Sequence, residues 1–351
     1  MELEPPASRH ITASDAFDPL DMDASARHAF LAAGNPRAVL DASVASIRRG
    51  DRGVLALVLE TEGSTYAGVG DMVLFDDDAQ VGWLSGGCLE PQLAKRARDV
   101  ADSGHIDWIE IDTRSDDDLL AGSALGCRGR LRITMLPLRS MPGVDLLIDA
   151  WLHVGVSLHA NIDADGSLAF AAGSQRAQWS LDTHGQHWSG DATSWQLSLP
   201  RLPRLLILGA GPETPTLIPL LRELGWWVCL AERRVRWNGV GSPADACLQS
   251  APVAALHEAS ADAVLVMHHD FELDREALET LAGTDIGFIG LLGPRRRRDD
   301  LFKLLTARQC DSLTPRLRSP VGLDLGGRGP QAIALSIAAQ LQQWRVVAAS
   351  A

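Results

Sequence analysis

The sequence has 351 residues, of which 46% are hydrophobic, and its 32 Lys and Arg against 45 Asp and Glu give a formal net charge of −13 at pH 7. A chain of this length can bury two hydrophobic cores, so we expect a soluble globular protein with two domains. The acidic excess provides no basic field for a nucleic acid or an anionic membrane, which argues against both as partners. The N-terminal segment lacks a signal-peptide pattern, and no stretch has the roughly 18 apolar residues of a membrane span, so we expect a cytoplasmic protein.

The five cysteines are odd in number, widely spaced and without a C-x-x-C pair. This pattern argues against a disulfide framework and against a structural zinc site, and it fits free thiols in a reducing compartment. Cys229, inside the apolar run "WWVCLAE", is expected in the core.

Residues 1–36 mix Pro, Asp, Ser and Ala without periodicity and predict a loose N-terminal arm. Residues 37–140 then alternate helix and strand patterns and predict a mixed α/β domain. Its expected elements are a helix in "PRAVLDASVASIRRG", a strand in "GVLALVLETEG", two short strands in "DMVLFDDDAQVGWLSGG", a helix in "LEPQLAKRARDVADSG" and strands in "IDWIEIDT" and "GRLRITMLPL".

Residues 141–203 form an intermediate segment, which is either part of the N-terminal domain or a linker to the next one. "GVDLLIDAWLHVG" predicts a helix, and the turn-rich stretch after it predicts a few antiparallel strands. Trp179, Trp188 and Trp195 are interpreted as packing residues. A platform that stacks nucleic acid bases would need Lys or Arg interleaved among them.

From residue 204 to residue 346, apolar strands alternate with helices, beginning at "RLLILGAG" and ending at "PQAIALSIAAQLQQW". This alternation predicts a Rossmann-like domain, a doubly wound parallel sheet that follows the mixed α/β domain. Such sheets bind ligands at the carboxyl ends of their strands, so the turns that follow the strands are candidate sites.

In "LILGAGPETPTL", Gly209 and Gly211 lie between a strand and a helix, and Glu232 ends the next strand. This spacing is typical of a dinucleotide phosphate turn and its ribose carboxylate. Thr214 replaces the third glycine, and no catalytic set for hydride transfer is visible, so an NAD(P)-dependent oxidoreductase is the alternative function. Glu232 is either a ribose contact or a strand-end carboxylate paired with one of the two arginines that follow it.

The stretch "IGLLGPRRRRDDL" places four arginines after a strand that ends near Gly293. We expect Arg295 or Arg296 to bind a phosphate while the other arginines face solvent. The alternative is a solvated helix turn without a ligand.

Two further stretches follow strands of the same predicted sheet. "VMHHDFELD" suggests His269 as a ligand contact, with a metal ligand or a surface histidine as alternatives. In "SPVGLDLGGRGPQAIALS", Asp324 and Gly326 precede a helix that begins at Pro330, which suggests an anion site or a turn without a ligand.

"GWLSGGCLE" places Cys88 after Ser85, Gly86 and Gly87, just before a predicted helix whose N-terminus favours a thiolate. Cys127, in "SALGCRGR", repeats the glycine-cysteine arrangement. Together the two thiols suggest a sulfur-binding or soft-metal site, the alternative for each being an idle or buried cysteine.

These stretches occur together in the order and spacing of one protein family. "TEGSTYAGVGDMVLF", "VGWLSGGCLE", the loop at Cys127, "LILGAGPE", "VLVMHHDFELD", "FIGLLGPRRRRDDL" and "SPVGLDLGGRGPQAIALSI" resemble the XdhC/CoxI family over roughly Val39 to Gln342. Its members are accessory proteins that mature molybdenum enzymes of the xanthine dehydrogenase and carbon monoxide dehydrogenase type.

The resemblance implies a non-enzymatic chaperone that binds the molybdenum cofactor, a molybdopterin in mono- or dinucleotide form. It implies that the protein protects this cofactor, supports its sulfuration with a cysteine desulfurase and inserts it into an apo molybdenum hydroxylase of the xanthine dehydrogenase type. A homodimer is left open, and no catalytic residue is assigned. Cys88 is the candidate contact to molybdenum or sulfur. The predicted cofactor-binding residues are Ser64, Ser85, Gly86, Gly87, Cys88, Cys127, Gly209, Gly211, Glu232, His269, Gly293, Arg295, Arg296, Asp324 and Gly326.

Overall fold

A computed structural model of the chain describes residues 36–77, 79–114, 129–184, 192–237, 239–241 and 243–349. The chain forms two compact units, Met1–Arg201 and Leu202–Ala351. Apart from Pro36, the predicted N-terminal arm lies outside the described residues. No helix of the described ranges is both long enough and apolar enough to cross a membrane.

The N-terminal unit is built from sheets and helices in the order that the sequence predicts. Its elements are α1 (Pro36–Arg49), β1 (Val54–Gly63), β2 (Met72–Phe75), β3 (Gln80–Val81), α2 (Glu90–Ser103), β4 (Ile106–Asp112), β5 (Gly129–Pro137), α3 (Val144–Asp149), β6 (Leu158–Asp163), β7 (Ser167–Ala172), β8 (Gln175–Ser180), β9 (Thr183–His184) and β10 (Ser194–Leu199).

A six-stranded sheet in the order β3-β2-β1-β5-β4-β9 forms the first layer of this unit. Its strands are antiparallel except for the β4 and β9 pair. α2 buries Leu93, Ala97 and Val100 in one core with Val58 and Ile133 of the sheet. The apolar positions of α2 recur every three or four residues, which places them on one face of the helix.

A four-stranded antiparallel sheet, in the order β10-β6-β7-β8, follows in the same unit. The expectation of antiparallel strands in this region is confirmed. The Nε1 atom of Trp195 donates to Glu60 Oε1 at 2.7 Å, and its ring centroid lies 5.6 Å from that of Trp108. Trp195 therefore packs this sheet against the first one, as predicted, and Trp179 packs edge-on against Phe170. Trp188 lies outside the described residues.

The C-terminal unit alternates strands and helices throughout. Its elements are β11 (Arg204–Leu208), α4 (Thr214–Glu223), β12 (Trp227–Ala231), β13 (Ala246–Leu248), α5 (Pro252–Ala259), β14 (Ala263–Val266), α6 (Phe271–Leu281), β15 (Phe288–Leu291), α7 (Arg295–Phe302), α8 (Ala307–Leu313), β16 (Leu317–Arg318) and α9 (Pro330–Ala349).

The strands of this unit form one parallel sheet in the order β13-β12-β11-β14-β15-β16. The predicted Rossmann-like fold is confirmed. After β13 the chain crosses back to the other side of β11 and enters β14, so the strand order reverses between β11 and β14. A crevice at this switch point, outside the carboxyl ends of the strands, is where open α/β sheets bind ligands.

Candidate functional site

The turn after β11 packs directly against the loop after β14. A Cβ atom on Gly209, whose φ is +88°, would lie 2.6 Å from the Cα of His268. A Cβ atom on Gly211 would lie 2.5 Å from His269 Nε2. Both glycines are therefore required by close contact between two loops of the protein itself.

The backbone N–H groups of this turn are largely taken by acceptors within the protein. In a dinucleotide-binding domain the corresponding groups point at a pyrophosphate. Pro212 has no N–H to offer. The donor and acceptor pairs are Gly209 N with Ala231 O at 2.9 Å, Ala210 N with Glu232 Oε2 at 2.7 Å, Gly211 N with Thr214 Oγ1 at 2.9 Å and Thr214 N with Gly211 O at 3.1 Å.

Glu232 is buried and pairs with Arg234, which is one of its two expected interpretations. Arg234 donates to Oε1 through its backbone N–H at 2.7 Å and to Oε2 through Nη2 at 2.6 Å. Burial raises the pKa of Glu232, but the hydrogen bonds from Arg234 and from Ala210 N–H together hold this pKa below its ordinary value. Arg233 pairs with Glu276 instead.

His268 belongs to a buried network that joins the loops after β14 and β15. Its Nδ1 lies 3.1 Å from Asp274 Oδ1, and Arg297 Nη2 donates to Asp274 Oδ2 at 2.6 Å. Arg297 passes over Gly293, where a Cβ atom would lie 2.7 Å from its Cδ. The expectation that Arg297 faces solvent is therefore wrong, because its guanidinium neutralises a fully buried carboxylate.

His269 follows β14, at the switch point where the strand order reverses. Its φ is +54°, a left-handed conformation that is uncommon for residues other than glycine. Its Nε2 lies 3.2 Å from Glu213 Oε2, and its side chain is 43% exposed while that of Glu213 is 6% exposed. An exposed imidazole is thus held against a buried carboxylate directly above Gly211.

Arg295 and Arg296 begin α7, after the carboxyl end of β15. Arg296 is almost fully exposed and lies 3.8 Å from Asp300. Arg295 is exposed, and its side chain makes no hydrogen bond or ion pair with another described residue. Its guanidinium is free to bind an anion.

The glycine-rich loop before α9 lies after β16, at the same edge of the sheet. Asp324 is exposed, and its Oδ1 accepts only a long bond of 3.4 Å from Gly326 N–H. Gly326 has a φ of +72°, which a residue with a side chain rarely adopts. α9 begins at Pro330, as predicted.

In the N-terminal unit, Ser85 and Glu90 shape the loop that carries Cys88. Both side chains are buried, and Ser85 Oγ donates to Glu90 Oε2. Ser85 Oγ also accepts from the N–H groups of Gly87 at 3.0 Å and Leu89 at 3.1 Å. Glu90 Oε1 accepts from the N–H of Leu84 at 2.9 Å. Ser85 thus has a role within the loop, beside its predicted cofactor contact.

Cys88 is half-buried against the core beneath α2 and lies two residues before that helix begins, as predicted. Ser64 is exposed on the loop that follows β1, and no hydrogen bond between described residues joins it to the loop of Cys88. Cys127 lies outside the described residues. Cys229 is 1% exposed, which confirms its place in the core, and this burial raises the pKa of its thiol to about 12. Within the described ranges, no group of three or more His, Cys, Asp or Glu side chains is arranged to hold a metal ion.

Sequence reasoning missed the buried charged residues that hold these loops. A signal existed for Glu213, because a carboxylate inside an expected phosphate turn is electrostatically inconsistent with that function. No signal distinguished Arg297 from its three neighbours in the arginine run. The residues missed are Glu90, Glu213, Asp274 and Arg297.

The fold and the site define a two-unit α/β protein with a Rossmann-like unit. In that unit, most N–H groups of the turn that would bind a dinucleotide are hydrogen-bonded within the protein. Two family descriptions match the chain: "XdhC Rossmann domain" over residues 205–341 and "XdhC and CoxI family" over residues 46–111. Together they cover more than half of the sequence. The chain belongs to the XdhC/CoxI family, which confirms the resemblance found in its motifs.

Three relatives cover nearly the whole chain. A Bacillus subtilis protein, described as a probable subunit of xanthine dehydrogenase, is 29% identical over 336 residues, which are 89% of this chain and 98% of that protein. The Escherichia coli molybdenum cofactor insertion chaperone PaoD is 24% identical over 318 residues, 88% of this chain and 89% of its own. A Bacillus halodurans crystal structure described as a xanthine dehydrogenase is 27% identical with a TM-score of 0.71, covering 88% of this chain and 96% of that one.

Proposed function

We propose that this protein is a molybdenum cofactor chaperone, which binds the cofactor, protects it and delivers it to an apo molybdenum hydroxylase. The role that the name of the Escherichia coli relative describes is transferred here to this chain. The observation that carries the proposal is the closed turn after β11. The Rossmann-like unit keeps the strand order and switch point of a nucleotide-binding domain, but its turn amides are bonded within the protein.

The residues at the carboxyl edge of the sheet fit a phosphorylated ligand. Its phosphate would not lie at the turn after β11, where a dinucleotide places its pyrophosphate. Arg295 supplies a free guanidinium after β15, and a guanidinium binds phosphate through two parallel hydrogen bonds. The crevice between β11 and β14 offers acceptors instead, from Glu213 and His269. A ligand with a phosphate on an arm and hydrogen-bond donors on a ring matches both, and a pyranopterin is such a ligand.

In the N-terminal unit, Cys88 is the residue proposed to contact molybdenum or sulfur. When bound, the cofactor supplies a molybdenum centre that accepts a sulfido ligand. The hydrogen bonds of Ser85 and Glu90 hold the thiol on a fixed loop. We further propose a cysteine desulfurase as the sulfur donor and a hydroxylase of the xanthine dehydrogenase type as the recipient.

An NAD(P)-dependent oxidoreductase remains the second candidate, supported by the Rossmann-like sheet alone. The bonded turn amides and the carboxylate of Glu213 both oppose a pyrophosphate in the usual position. We therefore expect weak or absent binding of NAD and NADP, with no hydride transfer to alcohols, aldehydes or purines.

The deciding experiment purifies the protein from cells that make molybdopterin and from cells that cannot. Molybdenum and pterin are measured in both preparations, and each is then added to an apo hydroxylase. We expect cofactor only in the first preparation and activation of the hydroxylase by it. Tight nicotinamide binding with turnover, and no activation, would favour the oxidoreductase. A Cys88→Ala variant that activates as well as wild type, beside a Cys310→Ala control, would remove the thiol from the proposal.

The phosphate contact is tested by replacing Arg295 and Arg296 with Ala. Loss of a charge-assisted bond should weaken cofactor binding by roughly 1.5 to 3 kcal/mol. Arg298→Ala is the matched control, because Arg298 lies on the same helix but pairs with Asp299. Binding of a phosphate-free pterin should be unchanged in both variants. If that binding falls equally, the arginines act on the fold and not on the phosphate.

A further inference from the structure

Glu213 is a buried carboxylate with an incomplete set of partners. Its side chain is 6% exposed, and one oxygen, Oε2, contacts His269 at 3.2 Å. Its other oxygen, Oε1, makes no hydrogen bond to any described residue, and no described Lys or Arg forms an ion pair with the side chain. Oε1 is not fully buried, so this oxygen is open to a donor from water or from a ligand.

Two other carboxylates of the C-terminal unit show how the same protein treats buried charge. Glu232 receives the guanidinium of Arg234 and the N–H of Ala210. Asp274 receives the guanidinium of Arg297. Both are buried and both are neutralised by an arginine, whereas Glu213 is not. The incomplete pairing of Glu213 is therefore specific to the residue that faces the switch-point crevice.

His269 extends this acceptor surface. A carboxylate oxygen accepts, so Nε2 of His269 donates in the contact with Glu213, and in a neutral imidazole the other ring nitrogen, Nδ1, is then an acceptor. The left-handed backbone at His269 is a conformation that persists where surrounding structure holds it, and such residues cluster at ligand sites. Gly211 below the pair adds no side chain that would cover it.

We propose that Glu213 and His269 recognise the edge of a heterocycle that presents two adjacent donors, a ring N–H and an exocyclic amino group. This inference rests on the proposed function, and it assigns the pterin ring to the switch-point crevice. A carboxylate pairs with two parallel N–H donors in the same geometry as with a guanidinium. Phosphate is repelled by Glu213 and is left to Arg295, which follows β15, a strand that lies two positions and about 10 Å from β11 in the sheet.

The test compares two soluble probes, pterin and lumazine. They differ at one position, where the amino group of pterin is a carbonyl oxygen in lumazine. Titration calorimetry on the full chain should show pterin binding at least about tenfold more tightly, because the carbonyl would face the carboxylate acceptor. In Glu213→Gln the preference should fall to about threefold or less. The exposed Glu279→Gln serves as the control and should keep the wild-type ratio.

A stability measurement separates recognition from a structural role. Removing a buried charge that lacks a cation should leave the thermal unfolding midpoint of Glu213→Gln unchanged or higher, while pterin affinity falls. His269→Asn, which tolerates the left-handed backbone, should also lose affinity for pterin. A lower midpoint with an unchanged pterin preference would overturn the proposal, as would tighter binding of a divalent cation alone than of pterin.

These experiments can reject the recognition site at Glu213 and His269 without rejecting the proposed chaperone function, and the reverse. Equal binding of pterin and lumazine by wild-type protein that still retains cofactor from cells would reject the recognition site alone. Discrimination between the probes by protein that retains no cofactor would support the site and reject the chaperone function.

Discussion

At the scale of single residues, two buried carboxylates of the C-terminal unit have different roles, since one is fully hydrogen-bonded within the protein and the other is not. Glu232 has donors on both oxygens and ties the turn after β11 to the end of β12. Glu213, which lies within that turn, keeps one oxygen without a partner among the described residues. The sequence left the role of Glu232 open between a ribose contact and a pairing with an arginine that follows it, and the guanidinium of Arg234 decides between them in the structure.

The stabilising role of Glu232 predicts a pH-dependent effect of Glu232→Gln. Because the folded-state pKa lies below the ordinary value of about 4.3, the carboxylate stabilises the fold above that pH and loses this effect as pH falls through the folded-state pKa. We expect Glu232→Gln to lower the free energy of unfolding by about 2 kcal/mol at pH 7. Urea titrations from pH 7 to pH 3 should show the difference from wild type shrinking in the acid range.

A difference that stays constant across this range would contradict the assignment, since a neutral hydrogen-bonding role does not titrate. Glu272→Gln provides the matched control, because the Glu272 side chain is exposed and, within the described part of the chain, pairs only with Arg275 of its own helix. Its effect should stay within about 0.5 kcal/mol at each pH.

At the scale of elements, the long periodic segments were predictable and the short ones were not. β11, β14 and β15 are continuous apolar runs whose burial is nearly complete, and such runs identify strands directly. β13 and β16 span three and two residues, so they carry too little pattern to be detected. Their places at the two edges of the sheet follow from tertiary pairing with β12 and β15.

The four arginines from Arg295 to Arg298 show, within one helix, what a sequence pattern can and cannot predict. The sequence correctly placed these arginines at the carboxyl end of a strand, which leaves Arg295 free at the start of α7. It did not show that Arg297 turns inward, because this depends on Asp274 of the preceding helix and on the missing side chain of Gly293. The arginines of this run therefore have two different roles, one at the surface and one in the interior, and each role needs its own prediction.

The buried role predicts a large effect of Arg297→Ala on stability. The substitution leaves Asp274, which is fully buried, without its cation, so we expect about 3 kcal/mol of destabilisation. Arg298→Ala on the same helix should cost less than about 0.5 kcal/mol. The double variant Arg297→Ala with Asp274→Asn should recover part of the loss, because the uncompensated charge is removed. Equal unfolding midpoints for the two single variants would show that the pair contributes nothing.

At the scale of the whole molecule, segments of the chain belong to one folding unit when their apolar side chains pack in the same core. The sequence left open whether residues 141–203 belong to the N-terminal domain, because turn-rich strands carry no signal of what they pack against. In the structure, Leu55 and Leu136 of the first sheet line one apolar cavity together with Ile148, Phe170 and Leu197 of the later segment. Trp195 adds its hydrogen bond to Glu60.

This shared core predicts which fragments of the chain fold. Residues 36–140 alone would expose Leu55, Leu57 and the other apolar residues that the later segment covers. Each large side chain returned to water costs about 1.5 to 3 kcal/mol, so five of them cost about 8 to 15 kcal/mol, as much as the usual stability of about 5 to 15 kcal/mol. We expect residues 36–201 to unfold in one cooperative thermal transition by circular dichroism, and residues 36–140 to show none. Residues 202–351, with a core of their own, should fold separately. A cooperative transition in the 36–140 fragment would mean that the second sheet is an appendage rather than part of the folding unit.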